Sequence, residues 1–278
     1  MDFKIIILIL ILIVIFIKII NKNNQENFSN NKNILFTCTS FISKKGKFEQ
    51  LNKFLDSFIK YNKSNFNLIN EFLIINEYDE QVELTNNLIN KLKKKYPNFT
   101  FINKKYNQKG QAKSLNIIID HLKKNKDQYK YWLHCEESWE CKKNFLNDSF
   151  TIMENSNISQ LQFTPDWKDI LNNKLIKVKK YNNHIELKAN NELNKKWNNY
   201  NGPWKNIELW PFFSLRPGID RVDEILNSGY FTQDITKFPV QFEFEFALNW
   251  VKKNNITKAI FKEPRCYRQK NHVSTYQL

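Results

Sequence analysis

The spacing of apolar and polar positions changes period several times along the chain, and each change marks an element. Phe3 to Ile20 is apolar except for Lys4 and Lys18. Such a run suits a membrane-spanning helix whose terminal lysines snorkel to the interface. The polar flank that follows, Asn21 to Asn27, has no small-x-small cleavage site. The run therefore reads as an uncleaved signal-anchor and not a removed signal peptide. This divides the chain into an anchor at 1–22, a polar linker at 23–33 and one domain at 34–278.

Within that domain, short apolar runs alternate with amphipathic ones. Ile34–Thr39, Glu71–Asn76, Phe99–Ile102 and Tyr131–Cys135 read as strands. Between them, Phe48, Leu51, Phe54, Leu55 and Phe58 recur at helical spacing, and helices are predicted over 45–61, 80–95 and 111–124. Strands separated by helices of this length form right-handed βαβ units with a parallel sheet. Beyond residue 150 the pattern loosens. Ile158–Phe163 and Thr257–Phe261 read as strands, and Lys174–Lys180 with His184–Lys188 as a hairpin. Helices are expected over 219–227 and 242–252, and a Trp-rich loop over 193–213. The fold class is α/β: one Rossmann-like domain with a mostly parallel central sheet. In such sheets ligands bind beyond the carboxyl ends of the strands.

Composition changes this picture little. The formal charge is +15, but nearly all of it is Lys, with four Arg in 278 residues. Readers of nucleic acid lean on Arg for bidentate contacts, so nucleic acid is not an expected partner. A membrane-tethered basic protein that binds nucleic acid or lipid would leave the acidic runs at the strand ends unexplained. The four Cys have no C-x-x-C spacing, which argues against zinc. Cys135 and Cys141 are close enough in sequence to pair, but reduced thiols are expected.

Four segments carry candidate chemistry. Glu136, Glu137 and Glu140 crowd together directly after the fourth strand. Like charges that close need a cation or a lysine; carboxylates suit Mg²⁺ or Mn²⁺, and a solvated acidic loop is the plain alternative. Asn107 to Asn116 leads through Lys109, Gly110 and Lys113 into a helix start able to hold phosphate oxygens, or is an ordinary helix start. Glu77 and Asp79 follow the second strand, where an acid can accept bonds from a ribose or cap the next helix. Glu243 and Glu245 alternate with Phe at the start of a helix, and burial among aromatics raises a carboxyl toward the range of a general base.

These segments, in this order, resemble the GT-A glycosyltransferases, especially the family 2-like branch. The segment Gly110-Gln111-Ala112-Lys113-Ser114-Leu115-Asn116 is similar to that family's G-x-A-x-x-x-N. Trp132 to Trp139 resembles an h-x-E-D-D-W variant of its D-x-D motif, and Tyr267-Arg268-Gln269 with Ser274 to Tyr276 resembles its tail. The resemblance implies a GT-A fold and transfer of a sugar from a nucleotide-sugar donor to a hydroxyl of a glycan, glycoprotein or glycolipid, with inversion. It implies donor contacts from Thr39, Glu77, Asp79, Lys109, Lys113, Asn116 and Glu137. A divalent Mn²⁺ or Mg²⁺ would lie at Glu136, Ser138 and His272. Glu243 or Glu245 would be the base, and Trp139, Trp210 and Arg216 would meet the acceptor. Two residues depart from the pattern: Ser138 replaces the second acid of the metal motif, and Gln269 stands where the tail often has His. A sugar- or nucleotide-binding protein of the same fold with weak or no turnover is the alternative these departures raise.

Overall fold

A computed structural model describes residues 33–44, 46–164, 168–233 and 240–270, all within one compact unit that begins at Asn33. The expected anchor, His272 and the Ser274–Tyr276 tail lie outside the described residues. Among those residues no helix is long and apolar enough to cross a membrane.

The four predicted strands form β1 (Ile34–Ser40), β2 (Ile69–Asn76), β3 (Phe99–Asn103) and β4 (Tyr131–Glu136), joined through α1 (Lys47–Asn62), α2 (Val82–Lys95) and α3 (Gln111–Lys124). The chain continues through β5 (Trp139–Cys141), α4 (Leu146–Glu154), β6 (Gln160–Gln162), β7 (Ile176–Lys180), β8 (His184–Ala189) and α5 (Asn191–Asn199). It ends with β9 (Gly218–Arg221), α6 (Val222–Ser228), α7 (Gln241–Lys253), β10 (Lys258–Phe261) and β11 (Cys266–Arg268). Nine strands form one sheet in the order β3-β2-β1-β4-β9-β6-β10-β8-β7, and β5 pairs with β11 apart from it. Strands β1–β4, β6, β7 and β10 run one way, and β8 and β9 run against them. This mixed α/β architecture with a mostly parallel central sheet fits the GT-A fold.

The side-chain alternation of a strand sends successive residues to opposite faces, and here both faces are covered. Ile34, Phe36 and Cys38 of β1 pack with α1, α2 and α4, whereas Leu35 packs with α3, α6 and α7. The predicted hairpin is β7–β8, which extends the sheet through β10.

Two elements differ from the sequence expectation. The helix predicted over 219–227 is split: Gly218–Arg221 is β9, inserted antiparallel between β4 and β6. Ile219, Val222 and Ile225 keep helical spacing across the join, and only the long-range pairing reveals the strand. The Trp-rich loop begins with α5, capped by Asn190, whose side chain accepts the Leu193 N–H at 2.8 Å.

Candidate active site

Polar side chains gather at the carboxyl ends of β1, β2 and β4, on the face that α3 and α7 cover. Thr37 and Thr39 pair in register with His134 and Glu136, and His134 pairs with Gly218, which pairs with Gln162. One row thus crosses β1, β4, β9 and β6. The neighbouring row inward is Trp132, Asp220, Gln160 and Lys258. There Gln160 donates to Asp220 Oδ1 and to Ser214 O, and Lys258 donates to Gln160 Oε1 and Phe212 O, all at 2.7–2.8 Å. Burial raises the Asp220 carboxyl and lowers the Lys258 ammonium. This buried network holds the Phe212–Ser214 backbone that leads into β9.

The loop before α3 is built around Lys104, which sequence reading did not single out. Its buried ammonium meets both Glu77 oxygens at 2.8 and 2.9 Å, Gly110 O at 2.7 Å and Ser114 Oγ at 2.8 Å. The Gly110 N–H adds a bond to Glu77 Oε2 at 3.1 Å. Gly110 has φ of 111°, a conformation strained for any residue with a Cβ. Glu77 is therefore the anchor of the Gly110 turn. Asp79 accepts from Ser43 Oγ at 2.6 Å and from the Gln81 N–H at 2.8 Å, tying the loops after β1 and β2 together. It does not cap α2, whose N-cap is Gln81. Beside it Tyr78 and the exposed Tyr106 form an edge-to-face pair with centroids 5.6 Å apart. Lys109 is exposed, and Lys113 donates to Asn107 O at 2.7 Å. Asn116 is buried and bonds both backbone groups of Phe231 at 2.8 Å, a packing contact away from the sheet edge.

The acidic run is divided by its partners. Glu137 forms a 2.5 Å ion pair with Lys47 in which both side chains are buried, and Glu140 is engaged by Lys53 and Lys142. Glu136 accepts from Gln111 Nε2 at 2.9 Å. Burial first, and the Glu137 charge second, push the Glu136 carboxyl up to about 7, against the pull of Arg268. Ser138 lies in the turn to β5, with Arg268 Nη1 at 3.4 Å from its hydroxyl. The Arg268 guanidinium stacks on Trp139 at 4.6 Å, and Trp139 is buried. Gln269 is a clamp: its amide donates to Gln50 O, Glu137 O and Trp139 O at 2.8–3.0 Å. All four Cys are free and buried, and Cys141 faces Cys266 across β5–β11, not Cys135.

Glu243, in the first turn of α7, accepts the Leu215 N–H at 2.9 Å. Burial raises its carboxyl, opposed by that N–H and by the Arg216 and Lys258 charges, and its own charge acts on Glu136. Glu243 and Arg216 thus stand at the same sheet edge as Glu136. Glu245 lies about 200° further round the helix and accepts from Gln241 Nε2 at 2.9 Å. Trp210 packs on Phe244 at 5.4 Å and donates to Phe213 O, so its indole belongs to the core.

Among the described residues no cluster of three or more His, Cys, Asp or Glu is arranged to hold a metal ion. One carboxylate, Glu136, with the Ser138 hydroxyl cannot enclose a divalent cation alone. It fits an ion shared with phosphate oxygens, the usual state of Mg²⁺ at phosphate sites.

No family model matches the sequence, and no curated protein matches it. Among solved structures, S. aureus TarS 1-349 superposes with a TM-score of 0.52 at 14% identity over 85% of this chain. This chain spans 60% of that one. GalNAc-T7 with UDP, GalNAc and Mn²⁺ superposes at a TM-score of 0.47 and 10% identity, over 87% of this chain and 45% of that one. The likeness to TarS is one of fold.

Proposed function

We propose that the chain transfers a sugar from a nucleotide-sugar donor to a hydroxyl acceptor. The observation that carries this reading is Glu136, Arg268, Arg216 and Glu243 converging at the carboxyl ends of β1 and β4 and the amino end of the antiparallel β9, with the Lys104-braced Gly110 turn on one side. Opposed charges set around one sheet edge match a reaction in which a diphosphate leaves and a hydroxyl loses its proton. The nucleoside lies toward Asp79 and the Tyr78–Tyr106 pair, and the diphosphate toward Gln111 and Arg268. Thr39, paired with Glu136, lines the floor between them. Glu243 takes the acceptor proton as the acceptor oxygen bonds to the anomeric carbon. The bond from that carbon to the phosphate oxygen breaks on the opposite side, with inversion. Bound Mg²⁺ or Mn²⁺, held by Glu136 and Ser138 together with phosphate, would neutralise the leaving group. Acceptors are glycans or glycoconjugates, and Arg216 meets them beside Glu243. The same reading makes 1–22 a single-pass tether that places the domain at a membrane.

The withdrawal of Glu137 and Glu140 into ion pairs favours a second reading, a donor-binding protein with little turnover. The test is nucleotide release by the full chain across a panel of nucleotide sugars, with Mn²⁺ and with chelator. Release with one or more donors supports transfer. Nucleotide binding without release under any condition supports the second reading, and neither binding nor release refutes both.

A further inference from the structure

The polar row in the site floor ends in two buried side-chain atoms without a hydrogen-bond partner among the described residues: His134 Nε2 and Gln162 Oε1. His134 is 2% exposed and Gln162 0%. Thr85 Oγ1 and Trp250 Nε1 also lack a partner among the described residues, on helices away from this row. His134 and Gln162 occupy the same row and face, with Gly218 between them in register on β9. At strand spacing their backbones stand about 9–10 Å apart. A Cβ on Gly218 would find as its nearest atoms only backbone: Leu161 O at 3.1 Å, Arg216 O at 3.4 Å and Gln162 Cα at 3.7 Å. A Cβ there would be crowded by Leu161 O, so the row keeps a glycine, with no side chain, between the His134 and Gln162 walls.

The bonds behind the walls set what each offers. The Trp132 indole N–H can only donate, so it donates to Thr37 Oγ1 at 2.7 Å. Thr37 Oγ1 stands 2.9 Å from His134 Nδ1, and its proton has no other acceptor among the described residues. His134 Nδ1 therefore accepts, and the ring proton sits on Nε2, where it is a donor. With Nδ1 accepting, the ring is neutral. On the other wall Gln162 Nε2 donates to Thr164 Oγ1 at 2.5 Å, which leaves Oε1 as an acceptor. A buried donor and a buried acceptor are each costly to leave without a partner.

We propose that His134 and Gln162 form a specificity-determining subsite that reads a pair of neutral hydroxyl groups on the transferred sugar. This rests on the transferase reading above. A neutral N–H and a neutral C=O match two alcohols, one accepting and one donating. They do not match a carboxylate or phosphate, which would leave the Gln162 oxygen facing an anion.

The test is kcat/KM of the full chain with its preferred nucleotide sugar and with each monodeoxy analogue of that sugar. Loss of one or two particular hydroxyls should each lower kcat/KM by about tenfold or more, since a site built to bond a hydroxyl rejects the analogue lacking it. His134→Phe should abolish the penalty for one hydroxyl and Gln162→Met that for the other. His134→Gln, which keeps an N–H near Nε2, should restore it. The wild-type deoxy series and the His134 tautomer by ¹⁵N NMR need no substitution and stand even if a variant fails to fold. A flat deoxy series with the parent donor turned over, an Nδ1–H tautomer, or variants that retain full discrimination would overturn the subsite alone. Neither binding nor turnover of any nucleotide sugar would overturn the transferase reading and the subsite with it.

Discussion

The buried Lys47–Glu137 pair makes the sharpest test of how the acidic run is used. In Lys47→Met the cation is removed while the stem volume is kept, and Glu137 is left buried without its partner. At 2.5 Å the gross attraction at an effective dielectric of 20 is about 6–7 kcal/mol. Desolvation offsets part of it, and breaking one side of such a pair typically costs about 3–5 kcal/mol. For a domain of this size that is a fall in Tm of roughly 6–20 °C. The double variant Lys47→Met/Glu137→Gln should recover most of the loss, because no uncompensated charge remains. Urea titration measures the first effect and nucleotide release the second. A cost below about 1 kcal/mol for Lys47→Met would refute the buried pair. If the stable double variant lost more than about tenfold in donor turnover, Glu137 would be a donor contact, as the motif alone implies, and not the brace of the β4–β5 turn.

Four further outcomes follow from the site. Glu243→Gln keeps an acceptor for the Leu215 N–H and should lower kcat by about 10²–10⁴-fold, with Glu245→Gln within about threefold; equal losses would remove Glu243 as the base. Because burial raises the Glu243 carboxyl, its basic form is present above that raised pKa and lost below it. The acid limb of the kcat profile should therefore lie above the ordinary Glu range and disappear in Glu243→Gln; an unchanged limb refutes the assignment. In stability the sign is opposite: a raised folded pKa favours the fold at low pH, and that contribution fades as pH rises through it. Glu243→Gln should then be no less stable than wild type at neutral pH, as read by thermal melting. Lys104→Met strips Glu77 and Gly110 of their common partner and should raise the donor KM by about tenfold or more. An unchanged KM would mean the Gly110 turn does not bear on the donor.

The alternation from Ile34 to Cys135 is enough to give β1–α1–β2–α2–β3–α3–β4, because each element has its own period and each crossover is local. The acidic run after β4 and Glu243 at a helix start are legible for the same reason: both sit at ends the pattern marks. What only the tertiary structure decided are the partnerships between residues far apart in sequence. Lys47 claims Glu137 across ninety residues of chain, Gln269 occupies the turn around Ser138, and Phe231 claims Asn116. The strand Gly218–Arg221 shows the same limit, since its apolar spacing is helical and only its place between β4 and β6 extends it. Sequence determines which groups are charged and which faces are apolar. The closing of the sheet, a long-range event, decides which charges neutralise one another and which remain to meet a ligand.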